Sequence, residues 1–155
     1  MPVFKAQLRI SVMLEKDVTL RIKKGETAEQ AAERTRKSLS VPKGVGASGW
    51  KLSNVEYDID VEDNDEGGWE CHVSATLVAN GPYKVDVIED SAEDAIEEAE
   101  SQMFETGHEF AASVFPWLEA DEIRGGWEYD DNSFSSEVIS VDRYRKSAPA
   151  PQPSM

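Results

Sequence analysis

Residues 8–22 read LRISVMLEKDVTLRI, and this stretch decides the fold class. Apolar residues recur at every second position from Leu8 to Leu14, which is typical of a strand with one buried face. We expect a turn at 16–17 (Lys-Asp) and then a second strand over 18–22, where the apolar residues alternate again. The stretch therefore predicts a pair of antiparallel strands.

A helix is expected directly after this pair. Thr27 and Gln30 have the spacing of a capping box, in which each side chain bonds to the other residue's backbone. The apolar positions that follow recur at helical spacing and form one stripe: Ala28, Ala31, Ala32, Thr35 and Leu39.

The same order of elements recurs about 65 residues later. Alternating apolar residues predict strands over 73–79 and 83–87, joined by a turn at 80–82 (Asn-Gly-Pro). Ser91 is the expected cap of a second helix, which we expect to end near Gly107. Its apolar stripe repeats the first one: Ala92, Ala95, Ile96, Ala99 and Met103.

The repeat predicts an α+β protein made of two tandem, duplicated β-β-α-β units. The first covers 4–62, and the second covers 69–144 and contains an insertion at 106–126. A unit of about 60 residues buries little surface by itself, so we expect the two units to share one core. Antiparallel strands would carry the helices on one face. Residues 147–155 hold only small residues, Gln, Met and proline, which predicts a disordered tail.

Charge is distributed unevenly along the chain. The 155 residues carry a net charge of −15, but residues 1–55 have a net charge of +6 and residues 56–142 one of −24. Such segregation is typical of a protein that binds a charged partner. The excess of carboxylates argues against direct binding of nucleic acid. No stretch is apolar enough to span a membrane and the N-terminus lacks a signal-peptide run, so we expect no membrane contact and a cytoplasmic location.

Few residues are available for metal or covalent chemistry. The single cysteine, Cys71, excludes an intramolecular disulfide, and together with only two histidines it argues against a zinc enzyme. Cys71 and His72 are adjacent on a strand, so their side chains point to opposite faces. We therefore expect no cofactor, metal or catalytic residue. The spacing of an EF-hand is not met, and a looser calcium site in 58–66 or 130–132 stays open.

Two acidic stripes are the candidate sites. In the stretch EYDIDVE, carboxylates alternate with apolar residues, so they form a row about 20 Å long with neighbours about 6.8 Å apart. That interval is close to two steps of the 3.4 Å rise between nucleotides of one DNA strand. The row and its continuation are Glu56, Asp58, Asp60, Glu62, Asp63, Asp65 and Glu66.

The second stripe lies on the second predicted helix, opposite its apolar positions. It has no compensating cation, because no Lys or Arg occurs between Lys84 and Arg124. Like charges at i,i+4 destabilise a helix, so this pattern is unfavourable for the helix itself. The residues of this stripe are Glu93, Asp94, Glu97, Glu98 and Glu100.

Three function classes follow. The leading hypothesis is a non-enzymatic acidic protein, of the kind that phages and mobile elements encode, which inhibits a nucleic-acid-binding protein by DNA mimicry. The alternative is an assembly protein whose basic and acidic halves dock head to tail into salt-sensitive homo-oligomers. The third is a small enzyme with a carboxylate pair among Glu119, Asp121 and Glu122. A further alternative is that the two acidic stripes are ordinary solvated surface that keeps the protein soluble and binds no partner.

Overall fold

The protein is described by a computed structural model over residues 2–63 and 68–143. The four strands form one antiparallel sheet in the order β2-β3-β1-β4. The α+β class with antiparallel pairing is therefore confirmed, and the tail predicted at 147–155 lies outside the described residues. In chain order the elements are β1 (Val3–Leu20), α1 (Ala28–Ser38), β2 (Lys51–Asp63), β3 (Trp69–Asp86), α2 (Ala92–Val114), a 3₁₀ turn (Pro116–Glu119) and β4 (Glu128–Arg143).

The two predicted turns at 16–17 and 80–82 are wrong, and tandem β-β-α-β units are not confirmed. β1 and β3 are each one continuous strand, and they pair along their whole length, from Val3 opposite Asp86 to Leu20 opposite Trp69. Each half of the chain is thus β-α-β. The physical reason is that the inward-facing positions continue in phase through both predicted turns, so each stretch forms one long strand with a single buried face.

Gly81 explains why one of these stretches resembles a turn. A Cβ atom on Gly81 would lie 2.2 Å from Cδ2 of Trp50, so the glycine makes room for the indole ring. The ring is held there because Nε1 of Trp50 donates a 3.0 Å hydrogen bond to the carbonyl of Pro82. β2 pairs with β3 only as far as Asn80, so Pro82 lies where β3 has a strand neighbour on one side alone. Proline is tolerated at such a position.

The second helix is longer than predicted. It passes through Gly107 and ends at Val114, just before Pro116, so the expected end near Gly107 is wrong. A Cβ atom on Gly107 would lie 2.2 Å from Cε1 of Phe134 on β4. The glycine therefore allows α2 to approach β4 closely. Part of the insertion predicted at 106–126 is the last part of this helix.

One cluster of buried residues fills the space between the sheet and the two helices. α1 packs on β1 and β2, while α2 packs on β4, β1 and β3. Because β1 lies between β3 and β4, the two halves of the chain interleave in the sheet. Among the described residues no helix covers the opposite face, which is called the outer face below. The cluster includes Leu8, Ile10, Leu14, Ala31, Trp50, Val73, Leu77, Ala99, Met103, Phe115 and Trp127.

Candidate interaction surfaces

The acidic row of β2 lies on the outer face at one edge of the sheet. Glu56, Asp58, Asp60 and Glu62 are all exposed, while the residues between them pack against the core. None of the four has an ion-pair partner within 4 Å among the described residues. The side chain of Asp63 and residues 64–67, which include Asp65 and Glu66, lie outside the described part of the chain.

The strand register extends this row across the sheet. Glu62 lies opposite Glu70 of β3, and Asp60 lies opposite His72, which in turn lies opposite Asp17 of β1. Neighbouring strands are about 4.8 Å apart, so these carboxylates form parallel rows on one face. We call the whole set the acidic sheet patch: Glu15, Asp17, Glu56, Asp58, Asp60, Glu62, Glu70, Glu128 and Asp130.

Five members of the patch were missed by the sequence analysis. Asp17 lies in the predicted turn at 16–17 and Glu15 lies directly before it, while Glu70, Glu128 and Asp130 follow no visible stripe of their own. Only the register of three strand pairs brings them beside the β2 row. Alternation along β1 is the one signal that would have placed Glu15 and Asp17 on the outer face.

His72 lies inside the patch and is half exposed. Its Nδ1 is 2.9 Å from Oδ1 of Asp17, and its Nε2 is 3.6 Å from Oε1 of Glu15. The hydrogen bond with Asp17, followed by the interactions with Glu15, raises the pKa of His72. Protonated His72 thus offsets part of the negative charge. Arg36 of α1 lies at the margin of the patch, in a depression that it shares with Glu56.

The acidic stripe of α2 is also solvent-facing. Glu93, Glu97, Glu98 and Glu100 are exposed, and Asp94 is half-buried near the cap, where its backbone N–H donates to Oγ of Ser91. Farther along, Glu105 and Glu109 add two more exposed carboxylates. The helix contains no Lys or Arg.

The structure does not bring the two stripes together. The β2 row lies on the outer face, whereas α2 lies in the helix layer and packs on β4 at the other end of the sheet order. A single flat partner would therefore contact one acidic surface or the other. The helix layer is itself polarised, since α1 and the loop before it carry exposed cations: Arg21, Lys23, Lys24, Arg36 and Lys37.

Over residues 2–63 and 68–143, no three His, Cys, Asp or Glu side chains are arranged to hold a metal ion. Asp121 and Glu122 are exposed beside Arg124 in a shallow depression, and Glu119 is exposed in the 3₁₀ turn. Cys71 is buried, and burial raises the pKa of its thiol, which keeps it protonated and unreactive.

Neither described helix has the length and apolar character needed to cross a membrane. Comparison of the chain with protein-family models, with curated proteins and with solved structures finds no match in any of the three.

Proposed function

We propose that the protein is a non-enzymatic acidic interaction protein. It binds the basic, nucleic-acid-binding surface of another protein and blocks that surface by imitating a row of phosphates. The acidic sheet patch supports this proposal, because nine carboxylates share one helix-free face. Proteins that bind nucleic acid present Lys and Arg to phosphate oxygens, so their surfaces are complementary to such a patch.

The spacing of the patch supports phosphate mimicry in particular. Carboxylates along β2 recur every 6.8 Å or so, close to two nucleotide steps on one strand of DNA. β3, β1 and β4 add further carboxylates at about 4.8 Å per strand, so the patch measures about 20 Å by 14 Å. A partner is thus offered several phosphate-like positions in two dimensions.

Long-range attraction should dominate this binding. Exposed carboxylates stay hydrated, so each single ion pair contributes little to affinity. Their summed field steers a basic partner into place and raises the association rate. The Debye screening length falls from about 10 Å at 0.1 M salt to about 3 Å at 1 M salt. We therefore expect association with the partner to slow steeply as salt is added.

The decisive experiment compares two variants with the same net charge. One neutralises the row by E56Q, D58N, D60N and E62Q. The matched control neutralises four exposed carboxylates outside both acidic surfaces, by E29Q, E119Q, D121N and E122Q. Each is immobilised, exposed to a nuclease-treated extract of the source cells and then washed with duplex DNA.

We expect the native protein and the control to retain a nucleic-acid-binding protein that duplex DNA releases. The row variant should lose it. Equal retention by the row variant and the control would contradict mimicry by the patch, and an equal loss in both would show that net charge alone is responsible.

A second candidate, salt-sensitive self-assembly, draws support from the polarised helix layer. Exposed cations around α1 and carboxylates on α2 lie on different elements of the same layer. The α1 side of one molecule could thus dock on α2 of the next, in a heterologous contact.

A further inference from the structure

Phe104 is the most exposed large apolar residue in the described part of the chain, with 92% of its surface accessible. A single exposed phenylalanine needs no explanation by itself. Phe104, however, lies at the edge of a groove of about 560 Å³ between α2 and β4. The buried Met103 and the half-buried Phe134 also line this groove, and together with the exposed Phe104 they are called the apolar strip below.

The position of β4 makes one wall of the groove open to a partner. β4 is an edge strand that pairs with β1 alone among the described residues. Asn132, Ser135 and Ser136 of this strand line the groove and supply polar groups beside the apolar strip. An apolar centre with a polar rim is the usual anatomy of a protein-binding site.

Charge identifies the kind of partner. Glu97, Glu100, Phe104 and His108 follow one another at helical spacing, so they share one side of α2. Glu100 and, from the β4 wall, Asp131 line the groove itself. With no Lys or Arg anywhere on α2, the rim is negatively charged and fits a basic segment.

We infer that the α2–β4 groove is a docking site for a lysine- or arginine-rich protein segment that inserts an apolar side chain beside Phe104. The cations pair with Glu97, Glu100 and Asp131, and the apolar side chain covers the strip. This site is separate from the acidic sheet patch and does not depend on phosphate mimicry. Phe104 acts as its anchor, because an exposed aromatic side chain that becomes buried on binding commonly contributes a large share of the binding energy.

The test uses two short synthetic peptides that carry the same number of lysines. One also carries leucines at helical spacing, and the other has serines in their place. Binding to the full-length protein is measured by fluorescence anisotropy, and the contact surface is mapped by NMR. The variants are F104A, the control I22A at another exposed apolar residue, and the β2 row variant.

We expect the leucine peptide to bind at least about fivefold more tightly than the serine peptide, as a hot-spot contact provides. F104A should abolish this preference, while I22A and the β2 row variant should keep it. Equal binding of the two peptides, or an unchanged preference in F104A, would overturn the inference. It would also be overturned by a self-associated state that F104A dissolves, because the groove would then hold a second copy. If the row variant shows that the proposed mimicry is wrong, the peptide result still tests the groove, because the row variant leaves the α2–β4 groove unchanged.

Discussion

Replacing Gly107 by alanine tests the close contact that lets α2 lie on β4. Helix propensity alone predicts that G107A stabilises the protein by about 1 kcal/mol, because glycine is a poor residue inside a helix. The structure predicts the opposite sign. The new methyl group would lie 2.2 Å from Cε1 and 2.8 Å from Cδ1 of Phe134. Overpacking of this kind costs about 1–3 kcal/mol, so we expect net destabilisation of up to about 2 kcal/mol.

A double-mutant cycle isolates the cause. In an F134A background the clash is absent, so the same G107A change should stabilise by about 1 kcal/mol. Unfolding in urea, followed by tryptophan fluorescence, measures all four free energies of unfolding. If G107A stabilises the protein equally with and without the Phe134 ring, then Gly107 and Phe134 do not lie in close contact, and the close packing of α2 on β4 described above is wrong.

Three further outcomes are expected. Folding raises the pKa of His72 through Asp17, so its stabilising effect is complete below about pH 6.5 and is lost as pH rises through the folded pKa. H72Q should therefore lower the urea midpoint more at about pH 6 than at about pH 8, and equal losses at the two pH values would contradict this. G81A should destabilise the protein by about 1–3 kcal/mol in urea, because its methyl group meets the Trp50 indole; an unchanged midpoint would show that the ring yields freely. If the α1 and α2 sides dock head to tail, light scattering should show a mass above 17.2 kDa at low salt that falls to this value at high salt, whereas a monomer at every salt concentration would exclude that assembly.

Local sequence signals predicted secondary structure correctly where a residue pattern indicates only one kind of structure. Thr27 and Gln30 form the predicted capping box, with bonds in both directions at 3.1 and 3.0 Å. Gly81 and Gly107 misled because glycine has two uses. It permits turns and helix ends, but it also makes room for a bulky neighbour, here Trp50 and Phe134. Those neighbours are more than 25 residues away in sequence, so no local pattern distinguishes the two uses.

For the candidate surfaces too, local patterns predicted part of the arrangement and contacts between distant residues decided the rest. Alternation predicted that the row from Glu56 to Glu62 shares one face, and in the structure these carboxylates are exposed. The other members of the acidic sheet patch depend on which strands are neighbours. Glu15 and Glu128 lie opposite each other because β1 pairs with β4, and they join the β2 row because β1 also pairs with β3. Charge patterning does not encode such a non-local arrangement.

The position of the β2 row raises a competing physical role, because charged side chains on an edge strand prevent it from pairing with other strands. Edge protection accounts for the charges on the two edge strands, including Glu128 and Asp130 on β4, which is also interrupted by shifts of register. It gives no reason for Glu70 on β3 or for Glu15 and Asp17 on β1, because these two strands are paired on both sides. Like charges on one face repel and work against folding, and arrangements that oppose stability tend to be kept for function. Neutralising the row should therefore raise the free energy of unfolding while it weakens partner binding, whereas a row that served only structure would leave binding unchanged.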